Sequence, residues 1–415
     1  MNSPARVIAD LRELATRTSN ERGAQRLCWG PIWRDARAFF AEKVGELGLT
    51  VESDPAGNQW VTLPGASPRT VIIGSHLDCV PSGGWLDGCF GVTTGVEVLR
   101  RYAQGGVPPV TLKVVDWADE EGARFGRSLF GSAASAGTLD LEDVRHLKDR
   151  NGVALVDALR ENGVELEEMP RAHDYLKKID ARAYLEVHIE QGPVLEALGK
   201  PTGVVIGTFG VERHMIRFKG QAAHSGSTPI EMRRDAFLAA AEAALGFREI
   251  ARRHSAPGAG VVCTVGVVNV EPRVVTAVPG VCEISLDQRA LSAETLATMH
   301  REAQEIATRC ARENGCELSW TQLLRITPRP FDPTLLRFCE EALREETGEA
   351  TLLPSGPLHD AAEMAPIIPT VMMFSSSSRG LSHCREEDTP EAHLETTIRA
   401  FLRLVDKTVA EVAKG

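Results

Sequence analysis

The stretch 74–92, GSHLDCVPSGGWLDGCFGV, follows directly on the apolar run Thr70-Val71-Ile72-Ile73. It sets His76 and Asp78 at the mouth of a buried strand, with Asp87 eleven residues past the histidine among glycines. A packed core would place none of these groups there, because buried charge has to be paired or bind a cation. Glycine lets backbone and side chains approach a ligand closely. The stretch therefore reads as part of a ligand cradle at a strand end.

Three more strand exits have the same character. The run ending VVD at 114–116 leads into Trp117-Ala118-Asp119-Glu120-Glu121-Gly122. Successive carboxylates repel one another unless they are solvated or a cation neutralises them. The run AYLEVHI at 183–189 delivers His188, followed by Glu190 and Gln191. PTVMMF at 369–374 leads through SSSSRGLSHCREED to His383. Open α/β sheets bind ligands at the carboxyl ends of their strands. His76, Asp87, Glu121, His188 and His383 together suffice for two zinc ions that share one carboxylate, each keeping an open position. Asp78 is placed to accept the second ring N–H of His76. A single histidine is more often structural than not; it is the joint placement of these residues at strand exits that points to metal. His146, His173, His254, His300 and His393 lie in charged or helical contexts and are assigned no role.

The surrounding chain supports an α/β reading. Apolar periodicity predicts helices at 31–48 and 92–104, with strands at 58–63, 69–75 and 109–116. The polar segment 135–180 reads as surface helices and loops. From about 210 the texture changes. Strands are expected at 211–219, 259–269, 281–289 and 316–324, with helices at 233–254 and 292–314. That β-α-β-β-α-β order is the ferredoxin-like pattern. The first texture resumes with a helix at 334–346, the strand at 369–374 and a closing helix from about 389. The expected domains are a catalytic domain over 1–209 and 327–415, and an inserted domain over 210–326.

With 415 residues the chain can hold two domains. Its 43% apolar and 25% charged content is that of a globular protein. A net charge of −11 argues against a nucleic-acid partner. There is no 18-residue apolar run and no signal-peptide core. The nine cysteines form no CxxC pair, which fits reduced thiols in a cytoplasmic protein. Cys79 and Cys89 read as space fillers.

These motifs resemble those of the zinc-dependent amidohydrolases that include N-carbamoyl-L-amino-acid hydrolase, β-ureidopropionase and allantoate amidohydrolase. That group sits in the aminoacylase and carboxypeptidase-G-like metallopeptidase clan. The matching stretches are 74–92, ADEEGARFGRSLFGS at 118–132, HIEQGPVLE at 188–196, GQAAHSGSTPIEMRRDA at 220–236 and GLSHCREEDT at 380–389. The resemblance implies a metallopeptidase-like domain, a mixed sheet covered by helices, with an inserted ferredoxin-like α+β domain for lid and dimer contacts. It implies that His76, Asp87 and His188 hold one divalent ion, and that Asp87 (bridging), Glu121 and His383 hold a second. Zinc is the expected metal, with manganese or cobalt as alternatives. Glu120 would be the general base. His224, supplied by the partner subunit of a homodimer, would donate to the developing oxyanion. Arg289 would grip a substrate carboxylate, and Gln191, His214 and His359 would also reach the substrate.

Two stretches depart from that family's pattern. Thr276 stands in VVTAVPG where an asparagine is usual, and a hydroxyl lacks an amide's paired donor and acceptor. Pro357 and Leu358 stand in SGPLHDA where the family has smaller residues. Both touch substrate choice rather than metal or base. The expected reaction is hydrolysis of an N-carbamoyl-L-amino acid to the amino acid, carbon dioxide and ammonia. The alternatives are an allantoate, ureidoglycine-type or β-ureidopropionate substrate, an N-acyl amino acid, and a non-catalytic binding protein on the same fold.

Overall fold

The computed structural model describes residues 3–255 and 260–414. The backbone divides into two compact units, one made of Met1–Ile206 with Phe331–Gly415 and the other of Gly207–Pro330.

In the first unit the strands run in the order Thr202–Thr208, Thr370–Ser375, Ala181–Ile189, Thr70–His76, Thr111–Trp117, Gln59–Leu63 and Val51–Ser53. The four strands from Thr370–Ser375 to Thr111–Trp117 are mutually parallel. Their outer neighbours are antiparallel to them. Parallel strands buried on both faces read as continuous apolar runs, and Thr70–His76 is buried at every position. These four are the strands whose exits carry His76, the 119–121 carboxylates, His188 and the path to His383. Register aligns them further. Ile73 pairs with Leu185, and three residues onward on each strand stand His76 and His188.

The helix Cys89–Gln104 follows the cradle loop and buries Val92, Val96 and Leu99 in the main core with Ile73, Val114 and Leu185. The sequence reading assigned no element to the helix Ser3–Thr18 or to the strands Val51–Ser53 and Thr202–Thr208, among others. The two strands are built into the sheet by long-range pairing, which local pattern does not show. The segment 135–180 is helical but not merely superficial. Val144, Leu155, Leu159, Met169 and Ala172 close a separate buried cluster around Trp29, Trp33 and Phe130. Its apolar residues are diluted by charges, which hid the stripe.

The second unit has an antiparallel sheet in the order Val262–Thr264, Val281–Ala290, Gly210–Lys219, Glu317–Ile326, with Val268–Glu271 also paired to Val281–Ala290. Helices Ala236–His254 and Ala293–Glu313 supply Ala239, Ala243, Phe247, Met299 and Ala303 to one core with Ile216, Phe218, Ile284 and Leu286. Asp235 caps the first helix through the Phe237 and Leu238 amides, and Ser292 caps the second through Thr295. The strand expected over 259–269 is two short ones. Ser285 Oγ accepts the Gly266 and Val267 amides where they divide, and residue 259 lies outside the described residues. Phe247 is 1% exposed at the centre of this core. Phe247→Ala is expected to destabilise the second unit by about 3–5 kcal/mol, read as a lower urea midpoint.

Candidate metal centre

Asp87 lies at the meeting point of the strand exits. Its Oδ1 is 3.2 Å from His188 Nε2 and 3.8 Å from His76 Nε2, and its Oδ2 is 3.4 Å from His383 Nε2. The same His383 nitrogen is 3.4 Å from Glu121 Oε2. The ligand atoms of His76, Asp87 and His188 lie within 4.8 Å of one another, as do those of Asp87, Glu121 and His383. Two sets that share one carboxylate suit a pair of divalent cations bound through imidazole and carboxylate.

The rings are turned for that purpose. His76 Nδ1 faces the Asp78 carbonyl at 3.1 Å, and His188 Nδ1 faces the Ile189 carbonyl at 2.9 Å. A proton on each Nδ1 leaves the Nε2 lone pair directed at Asp87. The Gly88 N–H also points at His188 Nε2, 3.3 Å away. Gly88 itself has φ +66°, and a Cβ there would lie 2.5 Å from the His76 ring. The glycine therefore lets the loop close over the histidine.

The Asp78 carboxylate, expected to accept the second ring N–H of His76, is not the group nearest that nitrogen. It is 3.5 Å from His76 Nδ1, farther than the Asp78 carbonyl. The carboxylate oxygens instead accept the Glu120 and Glu121 amides, each at 3.2 Å. Asp78 thus ties the first strand exit to the second. Glu120 Oε2 stands 3.6 Å from His76 Nε2, at the edge of the cluster.

Sequence reasoning missed Glu387. Its Oε1 accepts the Leu86 and Asp87 amides at 3.1 and 3.0 Å, and its Oε2 accepts the Ser382 hydroxyl at 2.7 Å. It fixes the backbone of Asp87 and of the His383 loop together. The only sequence signal was its place in SHCREED beside His383. Glu186 was missed as well. It lies two residues before His188, fully buried, and accepts the Ala361 amide at 3.0 Å and the Tyr184 hydroxyl at 3.1 Å.

The electrostatics call for positive charge. Burial, reinforced by Asp360, Glu121 and Asp78, pushes Glu120 well above the carboxylate range. Burial and then Asp87 push Glu121 up to about 8. Burial also opposes the charge of Asp87, but the neighbouring imidazoles of His188 and His383 hold it well below the usual value. The hydrogen bond to Asp87 raises His383 to about 9. Cations would offset this excess of buried carboxylate. Cys79 and Cys89 do not contribute: burial drives their thiols up to about 12 and about 11, so they are inert fillers.

The residues expected at the substrate fall into separate groups. Gln191 Nε2 donates to Asp87 Oδ2 and to Ser382 Oγ, both at 3.0 Å, so its amide is engaged in holding the shared carboxylate. The His359 ring lies 4.4 Å from the His188 ring, and its Nε2 is buried without a hydrogen-bond partner. The other four lie in the second unit. His224 pairs with Ala277 in a short antiparallel ladder, and the Ser225 amide bonds the Thr276 carbonyl, so exposed His224 and Thr276 are neighbours. Arg289 binds Asp287 through Nε and Nη2 at 2.9 and 3.3 Å. His214 pairs with Leu286, on the helix-covered face of the sheet, and is 1% exposed. Arg289 occupies the alternate face, because successive strand residues point to opposite sides. His214 therefore cannot share a face with Arg289, and it packs against His300 and Trp320 instead.

The model of peptidase family M20/M25/M40 matches residues 72–407. An N-carbamoyl-L-amino acid amidohydrolase from Geobacillus stearothermophilus is 36% identical over 385 residues, 92% of this chain and 91% of that protein. An allantoate amidohydrolase from Bacillus subtilis is 30% identical over 392 residues, covering 94% and 93%. A solved hydantoinase/carbamoylase family amidase from Burkholderia multivorans superposes with a TM-score of 0.86 at 31% identity, over 98% of each chain.

If Glu387 anchors the cradle, Glu387→Ala is expected to weaken metal affinity about 10- to 100-fold, measured by competition against a chromophoric chelator. A variant with unchanged affinity would show that the loop holds without it.

Proposed function

The chain belongs to peptidase family M20/M25/M40 and is a hydrolase of linear, non-peptide carbon–nitrogen bonds, and from that premise we propose that its substrate is an N-carbamoyl-L-amino acid. The observation that carries the reading is the shared Asp87 between two imidazole–carboxylate sets, with Glu120 at their edge.

His76, Asp87 and His188 would hold one divalent ion, and Asp87, Glu121 and His383 the other. Zinc fits this donor set, with manganese or cobalt as alternatives. Bound there, the ions would supply Lewis acidity toward the substrate carbonyl and make water easier to deprotonate. Glu120 accepts the proton of the attacking water at its carboxylate. It then delivers that proton to the leaving nitrogen as the carbon–nitrogen bond breaks. The carbamic acid released loses carbon dioxide and yields ammonia. Gln191 and Glu387 keep Asp87 in place through their hydrogen bonds.

His224 would donate to the developing oxyanion and Arg289 would receive the substrate carboxylate, with Asp287 holding its fork in plane. We assign the second unit the work of lid and homodimer contact. In support, His224 is exposed, and the apolar side chains of Ile230, Met232 and Val275 in the same unit are 79%, 72% and 100% exposed. A cytoplasmic location fits the nine cysteines, none of them in a disulfide, and among the described residues no helix is long and apolar enough to cross a membrane.

A second reading, an allantoate-type substrate, is favoured by Thr276 beside His224. Steady-state kcat/KM over N-carbamoyl, N-acyl and diureido acids decides between them. The N-carbamoyl-L-amino acids are expected to rank first, and a higher value for allantoate would replace the proposal. Glu120→Gln should keep its metal content and lose at least about 100-fold in kcat. A variant turning over at the native rate would remove Glu120 as the base. Light scattering should give twice the chain mass, and an active monomer would overturn the assignment of His224 to a partner subunit.

A further inference from the structure

The second unit carries a cluster that the hydrolytic chemistry does not use. The strand Gly210–Lys219 directs Glu212, His214, Ile216 and Phe218 to the helix-covered face. Ile216 and Phe218 are ordinary core residues. Glu212 and His214 continue the same row with polar side chains that are 5% and 1% exposed. The helix Ala293–Glu313 brings His300 onto them, its ring 4.5 Å from that of His214 and tilted by 21°. Trp320, from the neighbouring strand, closes the side, 5.3 Å from His214 and 5.4 Å from His300.

Burying such groups is costly unless they find partners. Here four of their atoms lack a hydrogen bond. Glu212 Oε2, both nitrogens of His214 and His300 Nδ1 are all buried without a hydrogen bond. The atoms nonetheless converge. His214 Nε2 lies 3.7 Å and His300 Nδ1 3.8 Å from the same Glu212 Oε2. Ligands at zinc distances around a tetrahedral ion stand about 3.3–3.5 Å apart. One ligand atom from each of the three lies within 4.8 Å of the others, and both nitrogens are within a few tenths of an ångström of ligand spacing from Oε2. Arg325 Nε approaches the other carboxylate oxygen, Oε1, at 3.3 Å and so orients the carboxylate while leaving Oε2 to the cluster. The His300 side chain is 24% exposed, which gives the cluster an edge open to solvent.

We propose that Glu212, His214 and His300 form a site for one divalent transition-metal ion, built from residues distinct from the Asp87 pair. Two imidazoles and one carboxylate select zinc, cobalt or nickel over magnesium or calcium, which prefer all-oxygen sites. The ion joins the strand Gly210–Lys219 to the helix Ala293–Glu313, and water completes its coordination from the His300 side. Its function is to fasten the helix layer to the sheet in this unit.

The test counts metal. Chelator-stripped full-length protein is dialysed against zinc, freed of excess, and assayed by plasma mass spectrometry beside His300→Gln and Glu212→Gln, with circular dichroism to verify folding. Each folded variant is expected to bind one ion fewer per chain than the wild type. His383→Ala, changed in the first unit, is expected to keep the His300-dependent ion, which separates this result from the fate of the Asp87 pair. Equal metal content in wild type and both variants overturns the proposal. Should neither variant fold, zinc-soaked wild-type crystals decide. An anomalous peak between Glu212 and His300 supports the site, and its absence refutes it.

Discussion

One carboxylate organises the first unit. Asp87 is 2% exposed and faces the imidazoles of His76, His188 and His383. Desolvating an anion is expensive, so the fold has to surround it with donors and positive charge. Gln191 donates to its side chain, and Glu387 accepts its backbone amide. These partners come from three places, the strand that ends at His76, the exit that carries His188 and Gln191, and the loop that carries His383 and Glu387. The four parallel strands, the helix that starts at Cys89 and the loop bearing His383 all have to be in place before Asp87 is tolerated.

The same constraint explains where the backbone is strained. Asp119, Gln191 and His383 take positive φ values of 57°, 56° and 58°, though none is glycine. Non-glycine residues held in that region concentrate at functional sites, where surrounding contacts over-determine them. Asp119 is held by the Trp29 indole, which donates to its Oδ2 at 2.9 Å, and Gln191 by the two bonds described above. Such positions turn the chain sharply at the strand end and point the next side chain inward, as at Glu120.

The strand exits were legible because function forced polar residues onto apolar strands, a local contradiction that sequence shows well. His76 and His188 stand at the ends of buried strands, Glu121 four residues past one, and His383 eight residues past another. Glu186 and Glu387 were not legible. Glu186 occupies a strand interior, and its acceptance of the Ala361 amide depends on a helix 175 residues away. Glu387 lies in a run of acids that reads as a solvated surface. His214 and Arg289 were both expected at the substrate, yet alternation puts them on opposite faces of one sheet.

The sequence by itself determined the α/β class, the change of texture at the second unit with its two helices, the amidohydrolase family and the residue types of the candidate metal centre. These are carried by period, order and short motifs, all local along the chain. Only the tertiary structure decided that the four exits belong to adjacent parallel strands, that Gln191 serves Asp87, and that Glu212, His214 and His300 converge. Those facts depend on which strands pair and in which register, and pairing is a long-range choice that no window of sequence contains.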